Sequence, residues 1–155
     1  MPTIGIADTT FARVDMAADA IAAIKEADAS LTIERYTVPG FKDLPVAAKL
    51  LLEKYKCDIV LALGWVGGAP VDEVCAHEAS QGLIQVQLLT NKHVLGAFLH
   101  TSEAPNDEKK LVSIARDRAR KHALNCVALL KGKTELTPNA GKGVRQGNDN
   151  EGALT

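Results

Sequence analysis

The run "CDIVLALGWVGGAP" (Cys57–Pro70) decides the fold. Its first part, Cys57–Leu63, is almost continuously apolar, as a strand covered on both faces must be. It then breaks into "GWVGG" (Gly64–Gly68), a glycine-rich turn ahead of a helix expected over Val71–Asn91. Working outward, the same strand–helix unit recurs. "TIGIAD" (Thr3–Asp8) reads as a strand, followed by Val14, Ala18, Ile21 and Ile24 at helical spacing. "LTIERYTV" (Leu31–Val38) begins by alternating apolar and polar residues, as a partly exposed strand does. Pro45 then opens "VAAKLLLEKY" as a first-turn proline ahead of strong helix formers. "HVLGAFLH" (His93–His100) is the fourth strand and Asp107–Leu130 the fourth helix. Four repeats with short connections imply an α/β three-layer sandwich, a four-stranded parallel sheet with helices on both faces. Residues 1–131 make up this single domain. Residues 132–155, including "NAGKGVRQGNDNEG", lose all periodicity and read as a tail or arm, disordered by composition.

Composition narrows the function. The chain has 155 residues, 46% hydrophobic and 24% charged, with a formal net charge of −1. That balance suggests neither a nucleic-acid nor a membrane partner. "MPTIGIADTT" lacks the basic and long apolar regions of a secretory signal, and no run approaches the ~18 apolar residues of a membrane span. Three cysteines, Cys57, Cys75 and Cys126, form no C-x-x-C pair and read as small buried hydrophobes in a reducing compartment. A cytoplasmic protein is expected.

Ligands of open parallel sheets bind beyond the carboxyl ends of the strands. Three of the six aromatic residues, Phe11, Phe41 and Trp65, fall in the loops expected there. A planar heterocycle stacked on these rings explains that distribution better than lids over the core. The G-x-x-G-G turn matches neither dinucleotide nor P-loop fingerprint, and it contains no lysine, while Asp72 and Glu73 follow it. Its bare backbone suits the imide edge of a pyrimidine or pteridine better than a phosphate. Asp43 precedes the second helix, where a carboxylate either accepts from ligand hydroxyls or caps the helix. On the third helix, Val71, Cys75, Ala79, Gly82, Leu83 and Val86 share the expected core face, and His77 points away with Ile84 and Leu88. Large apolar residues on an outward stripe suggest a subunit contact. His77 is either an acid–base group of a site shared at that contact or a solvent-exposed or capping histidine, and His100, at a strand end, is the second candidate acid–base group. His93 and His122 read as structural, and no spacing resembles a zinc site.

Several blocks in fixed order, "DTTFARVDMA", "VPGFKDLPVA", "CDIVLALG", "CAHEASQGLIQVQLLTNKHVL" and "AGKGVRQG", resemble the archaeal-type riboflavin synthase family over nearly the whole chain. That family is similar to lumazine synthase in fold, which implies the flavodoxin-like strand order 2-1-3-4 for the sheet. The resemblance implies a homopentamer with active sites between subunits, each taking two molecules of 6,7-dimethyl-8-ribityllumazine. It implies their dismutation, a four-carbon unit passing from one to the other, to riboflavin and 5-amino-6-(ribitylamino)-2,4(1H,3H)-pyrimidinedione. Placed against lumazine synthase, Phe11 matches the aromatic stacked on the pyrimidine ring. "PGFKDLP" (Pro39–Pro45) matches P-G-x-x-E-[IL]-P, with Asp43 in place of the glutamate that holds ribityl hydroxyls. Pro39, Gly40, Phe41 and Lys42 thus join the binding loop, and Gly64, Trp65, Val66 and Gly67 match the loop whose backbone meets the heterocycle.

The departures favour the same family. "GGAPVDEV" lacks the G-x-T and histidine that lumazine synthase uses for a phosphate-bearing butanone. His77 stands where that enzyme usually has asparagine, so no catalytic role carries over to it from there. The chemistry requires no cofactor, since the acidic 7-methyl group of the lumazine forms a delocalised anion, with stimulation by a divalent cation such as Mg²⁺ left open. The residues expected to act are Phe11 and Trp65 in stacking, Asp43 on a ribityl chain, and His77 and His100 in proton transfer, with the tail's Lys142 and Arg145 placed to close over the second lumazine. Lumazine synthase itself and a non-catalytic lumazine or flavin carrier are the alternatives. A receiver-type signalling domain is excluded, because Leu63-Gly64 stand where its phosphorylated aspartate would be.

Overall fold

The computed structural model describes residues 1–155. Its four strands are β1 (Thr3–Thr9), β2 (Thr32–Val38), β3 (Ile59–Val66) and β4 (Val94–His100). They are all parallel, as the sequence predicts, in the spatial order β2-β1-β3-β4 that the family resemblance implies. Between and after them run α1 (Met16–Ala27), α2 (Leu44–Glu53), α3 (Pro70–Thr90) and α4 (Glu108–Lys131). Register is set by side-chain alternation: Ile4 pairs with Ile59, and Val60 with Val94. β3 is buried at every position, whereas β2 is an edge strand with most of its side chains in or near solvent.

Alternation sorts the core into two separate layers. Ile4, Ile6, Ile59, Leu61, Leu63 and Leu99 point to one face and pack against α1 and α4. Ala7, Val60, Ala62 and Val66 point to the other and pack against α2 and α3. Each helix start has a local cause. The Asp15 carboxylate accepts from the Ala18 N–H at 3.1 Å to open α1, and Asp107 does the same for Lys110 at 3.0 Å to open α4. Gly82 lets α3 settle on α2, because a methyl there would meet Pro45 Cγ at 2.7 Å. No helix is long and apolar enough to cross a membrane.

Three expectations change. β3 runs through Gly64, Trp65 and Val66, which the sequence places in a loop. A strand tolerates the glycine because a neighbouring ring approaches its backbone, as described below. The C-terminal segment also departs from the disorder that its composition suggests. It makes a short 3-10 turn at Thr137–Asn139, then doubles back so that Arg118 of α4 bonds the Gln146 carbonyl at 3.1 Å. On α3 the buried residues are Ala76, Ala79, Leu83 and Val86, while Val71, expected inside, is exposed together with Val74, Ile84, Leu88 and Leu89. The outward apolar stripe is therefore present, and wider than its sequence pattern suggests.

Candidate active site

A cavity of about 360 Å³ opens at the carboxyl ends of β1, β2 and β3, on the α2/α3 side of the sheet. Phe11 lines it from the loop after β1, and Pro39, Gly40, Phe41, Lys42 and Asp43 from the loop after β2. Gly67 lines it after β3, and Asp72 and Cys75 from the first turns of α3. This is the crevice at which open parallel sheets bind ligands.

Each aromatic plays a different part. Phe11 is 52% exposed at the cavity mouth, and its ring tip would lie 3.3 Å from a methyl placed on Gly67. A flat ligand can therefore meet the Phe11 ring and the Gly67 backbone together. Phe41 is buried, edge-to-face with Phe98 at a centroid distance of 4.7 Å. Its ring lies directly on Gly64, where any Cβ would overlap it. Trp65 is not a stacking residue of this cavity. At 2% exposure it sits in the α1/α4 layer, with the Arg13 guanidinium 6.0 Å from its ring centroid. Successive residues of a strand point to opposite faces, so Trp65 cannot share a side with its neighbours. Gly64 is covered by Phe41 and Val66 is fully buried. Of the backbone stretch expected to meet the ligand, only Gly67 lines the cavity.

The polar groups give the cavity an acidic character. Asp43 occupies the N-cap position of α2, yet its side chain makes no capping bond. Of its two sequence readings, the cap is thus set aside and the carboxylate is free to accept from a ligand. Asp72 accepts from the Ala69 N–H at 3.1 Å, which fixes one oxygen at the cavity wall. Lys42 turns to Glu78, 3.3 Å away, and the hydrogen bond and charge of that carboxylate raise its pKa. The sole cation of the lining is thereby engaged. Behind the Phe11 loop, the buried Asp8 carboxylate accepts from Arg35 and Thr37, both at 2.6 Å, and Arg35 also reaches Asp15 at 2.9 Å. This network ties β1, β2 and the start of α1, and so holds the loop that carries Phe11.

Neither candidate histidine lines this chain's cavity. His77 is exposed on the outer face of α3 with Ile84 and Leu88, as expected. His100 lies across the start of α3, its Nδ1 2.8 Å from Glu73 Oε2. With Nδ1–H donating to that carboxylate, Nε2 keeps its lone pair for proton transfer. His122, by contrast, has its pKa lowered by burial and by the nearby Arg118 charge, and its Nδ1 has no partner. Asp72, Glu73 and Cys75 are residues of this region that the sequence alone does not mark as site residues. The signal was their place in the first turns of a helix that follows the glycine turn. Cys57 and Cys126 are buried, as expected, but Cys75 is half-buried at the cavity wall. No group of three or more His, Cys, Asp or Glu side chains is placed to hold a metal ion.

A family model for 6,7-dimethyl-8-ribityllumazine synthase matches residues 2–134. A riboflavin synthase of Methanothermobacter thermautotrophicus is 49% identical over 99% of this chain and 100% of its own length. One from Archaeoglobus fulgidus is 50% identical over 97% of both chains. The chain belongs to the archaeal-type riboflavin synthase family, within the lumazine synthase superfamily. Its likeness to a 6,7-dimethyl-8-ribityllumazine synthase of Prochlorococcus marinus subsp. pastoris is more limited, 42% identity over 41% of this chain and 42% of the relative. The archaeal-type match thus extends over β4, α4 and the C-terminal segment alike, and residues 135–155 of that segment lie beyond the superfamily model.

Proposed function

We propose that the protein is a riboflavin synthase that dismutates two molecules of 6,7-dimethyl-8-ribityllumazine. The products are riboflavin and 5-amino-6-(ribitylamino)-2,4(1H,3H)-pyrimidinedione. The observation that carries this reading is the charge of the cavity. Asp43 and Asp72 line it, while its lysine is engaged by Glu78. Such a site suits an uncharged heterocycle with a polyol chain and disfavours the phosphate ester that a lumazine synthase must bind. The near full-length likeness to archaeal riboflavin synthases supports the same conclusion.

In this mechanism Phe11 stacks on a lumazine ring, Gly67 offers its backbone to the imide edge, and Asp43 accepts from ribityl hydroxyls. Pro39, Gly40, Phe41 and Lys42 shape the wall. Deprotonation of the 7-methyl group yields the delocalised carbanion that attacks the second lumazine, and the four-carbon unit is then transferred. Holding two rings in register supplies much of the acceleration, as proximity and orientation do generally. The protein acts as a homopentamer with sites between copies. The exposed stripe Val71, Val74, Ile84, Leu88 and Leu89 on α3 is the surface that such a ring would cover. A histidine from the neighbouring copy then completes each cavity. His100, oriented by Glu73, is better prepared for proton transfer than His77, for which no side-chain partner is observed. No cofactor is needed, and Mg²⁺ acts as a stimulant at most. The enzyme works in the cytoplasm.

The test is to mix purified protein with 6,7-dimethyl-8-ribityllumazine alone, with and without Mg²⁺, and separate the products by chromatography. Equimolar riboflavin and pyrimidinedione are expected. Binding without turnover would instead identify a carrier, and product formed only from the pyrimidinedione and the butanone phosphate would identify the sister synthase.

A further inference from the structure

The most highly bonded polar cluster of the molecule lies outside the cavity, where β4 ends. Arg118, whose side chain is 12% exposed, donates from Nη1 to Glu103 Oε2 at 2.6 Å and from Nη2 to Glu103 Oε1 at 2.8 Å. Nη1 also bonds the Phe98 carbonyl at 2.9 Å, and Nε bonds the Gln146 carbonyl at 3.1 Å. Glu103 in turn accepts from the His100 backbone N–H at 2.9 Å and from Asn148 Nδ2 at 3.4 Å. Burial opposes ionisation of Glu103, but the Arg118 and His100 bonds outweigh it and pull its pKa down to about 2. The cluster is therefore a fixed ion pair at working pH.

The C-terminal segment is built to close on this pair. Gly147 has φ +92°, and a methyl on it would meet Arg118 Nε at 2.6 Å. Its N–H bonds Asp117 at 2.9 Å. Both the backbone conformation and the space at this position admit only glycine. We propose that residues Gln146–Asn148 are a strap that fixes the Glu103–Arg118 pair, and through it the main chain of His100, so that Glu103, Arg118 and Gly147 are positioning residues for proton transfer. The geometry fixes His100 from two sides, the imidazole by Glu73 on α3 and the backbone by Glu103 under the strap. This rests on the reading of His100 as a proton-transfer group.

The test uses the full-length chain with Gly147→Val, and Asn148→Ala as a milder second variant. Amide hydrogen exchange at His100 reports the strap directly, and kcat and KM for 6,7-dimethyl-8-ribityllumazine report its consequence. Exchange at His100 is expected to rise about tenfold in Gly147→Val, as loss of a charge-assisted bond requires. The kcat is expected to fall about tenfold, with KM within about threefold, because the reacting group is displaced while the cavity is intact. Asn148→Ala should move both in the same direction by less. Unchanged exchange in the folded variants would overturn the strap, and raised exchange with wild-type kcat would overturn its positioning role. A parallel His100→Ala variant separates the two readings: if it keeps wild-type turnover, the role of His100 fails independently of the exchange result.

Discussion

Replacing Gly64 by alanine should damage the protein through one ring. A methyl at Gly64 would lie 2.6 Å from Phe41 Cζ and 3.2 Å from Phe98 Cδ1. Phe41 Cε1 lies nearer still, so the ring must withdraw by about 1 Å to regain ordinary contact. It is pinned against Phe98 behind and borders the cavity in front, so the retreat costs packing and narrows the site. Overpacking of this kind costs about 1–3 kcal/mol. Phe41→Leu alone should cost about 1–2 kcal/mol as a partial truncation of a buried ring. Combined, the two substitutions should be less harmful than their sum by about 1 kcal/mol, because the smaller side chain makes room for the methyl. Urea denaturation of all four proteins at one protein concentration measures the cycle, since assembly makes stability concentration-dependent. Gly68→Ala is the control. Its methyl would touch only Thr101 Cγ2 at 3.8 Å and should stay within about 0.5 kcal/mol. Strict additivity, or a Gly64→Ala protein as stable as the control, would refute the argument.

Further outcomes follow from the same geometry. Phe11→Ala should weaken 6,7-dimethyl-8-ribityllumazine binding about tenfold in a fluorescence titration, with little effect on stability, because half of the ring is already in solvent. Asp43→Ala should likewise raise KM for the lumazine, and an unchanged KM would remove the carboxylate from the ribityl site. Ile84→Glu with Leu88→Glu should convert the assembly to smaller species in sedimentation velocity while the circular dichroism of the monomer fold persists. Glu103, held down at about 2 against an ordinary 4.5, contributes stability that is complete above about pH 4.5 and disappears as the pH falls towards 2. The shift corresponds to at most about 3 kcal/mol, reduced to about 1–2 kcal/mol by solvent at this partly exposed carboxylate. Glu103→Gln should flatten that acid limb in pH-dependent denaturation.

The central and edge strands were legible because each carries its own environment in its composition, unbroken apolar residues in β3 and alternation in β2, while the full order came with the family resemblance. The cavity was legible because strand ends in such a sheet converge, and the loops after β1 and β2 deliver their residues there. What failed was the side on which residues of β3 point. "GWV" looks like a turn because glycine and a lone tryptophan break an aliphatic run, yet Gly64 is flat strand under Phe41 and Trp65 is core on the opposite face. Only the identity of the ring above Gly64 distinguishes the two cases, and that ring is 23 residues away in sequence. The C-terminal segment misled for a related reason. Glycine, asparagine and aspartate are the residues of disorder, but they are also those of tight turns. Gly143, Gly147 and Gly152 all adopt positive φ, and Asn150 accepts from the Arg145 N–H at 2.9 Å. Composition cannot tell a chain that never settles from one that turns repeatedly.

The division of the interior into two layers has a consequence for how the protein can change. The cavity walls Phe41, Gly67, Asp72 and Cys75 belong to the side of α2 and α3, while the larger apolar cluster lies across the sheet beneath α1 and α4. Durability and ligand preference therefore reside in different compartments of one small molecule. Substitutions beneath α1 and α4 can harden the protein against heat without touching what it accepts, and the α2/α3 side can be remodelled for a new ring or side chain while the opposite compartment keeps the sheet together.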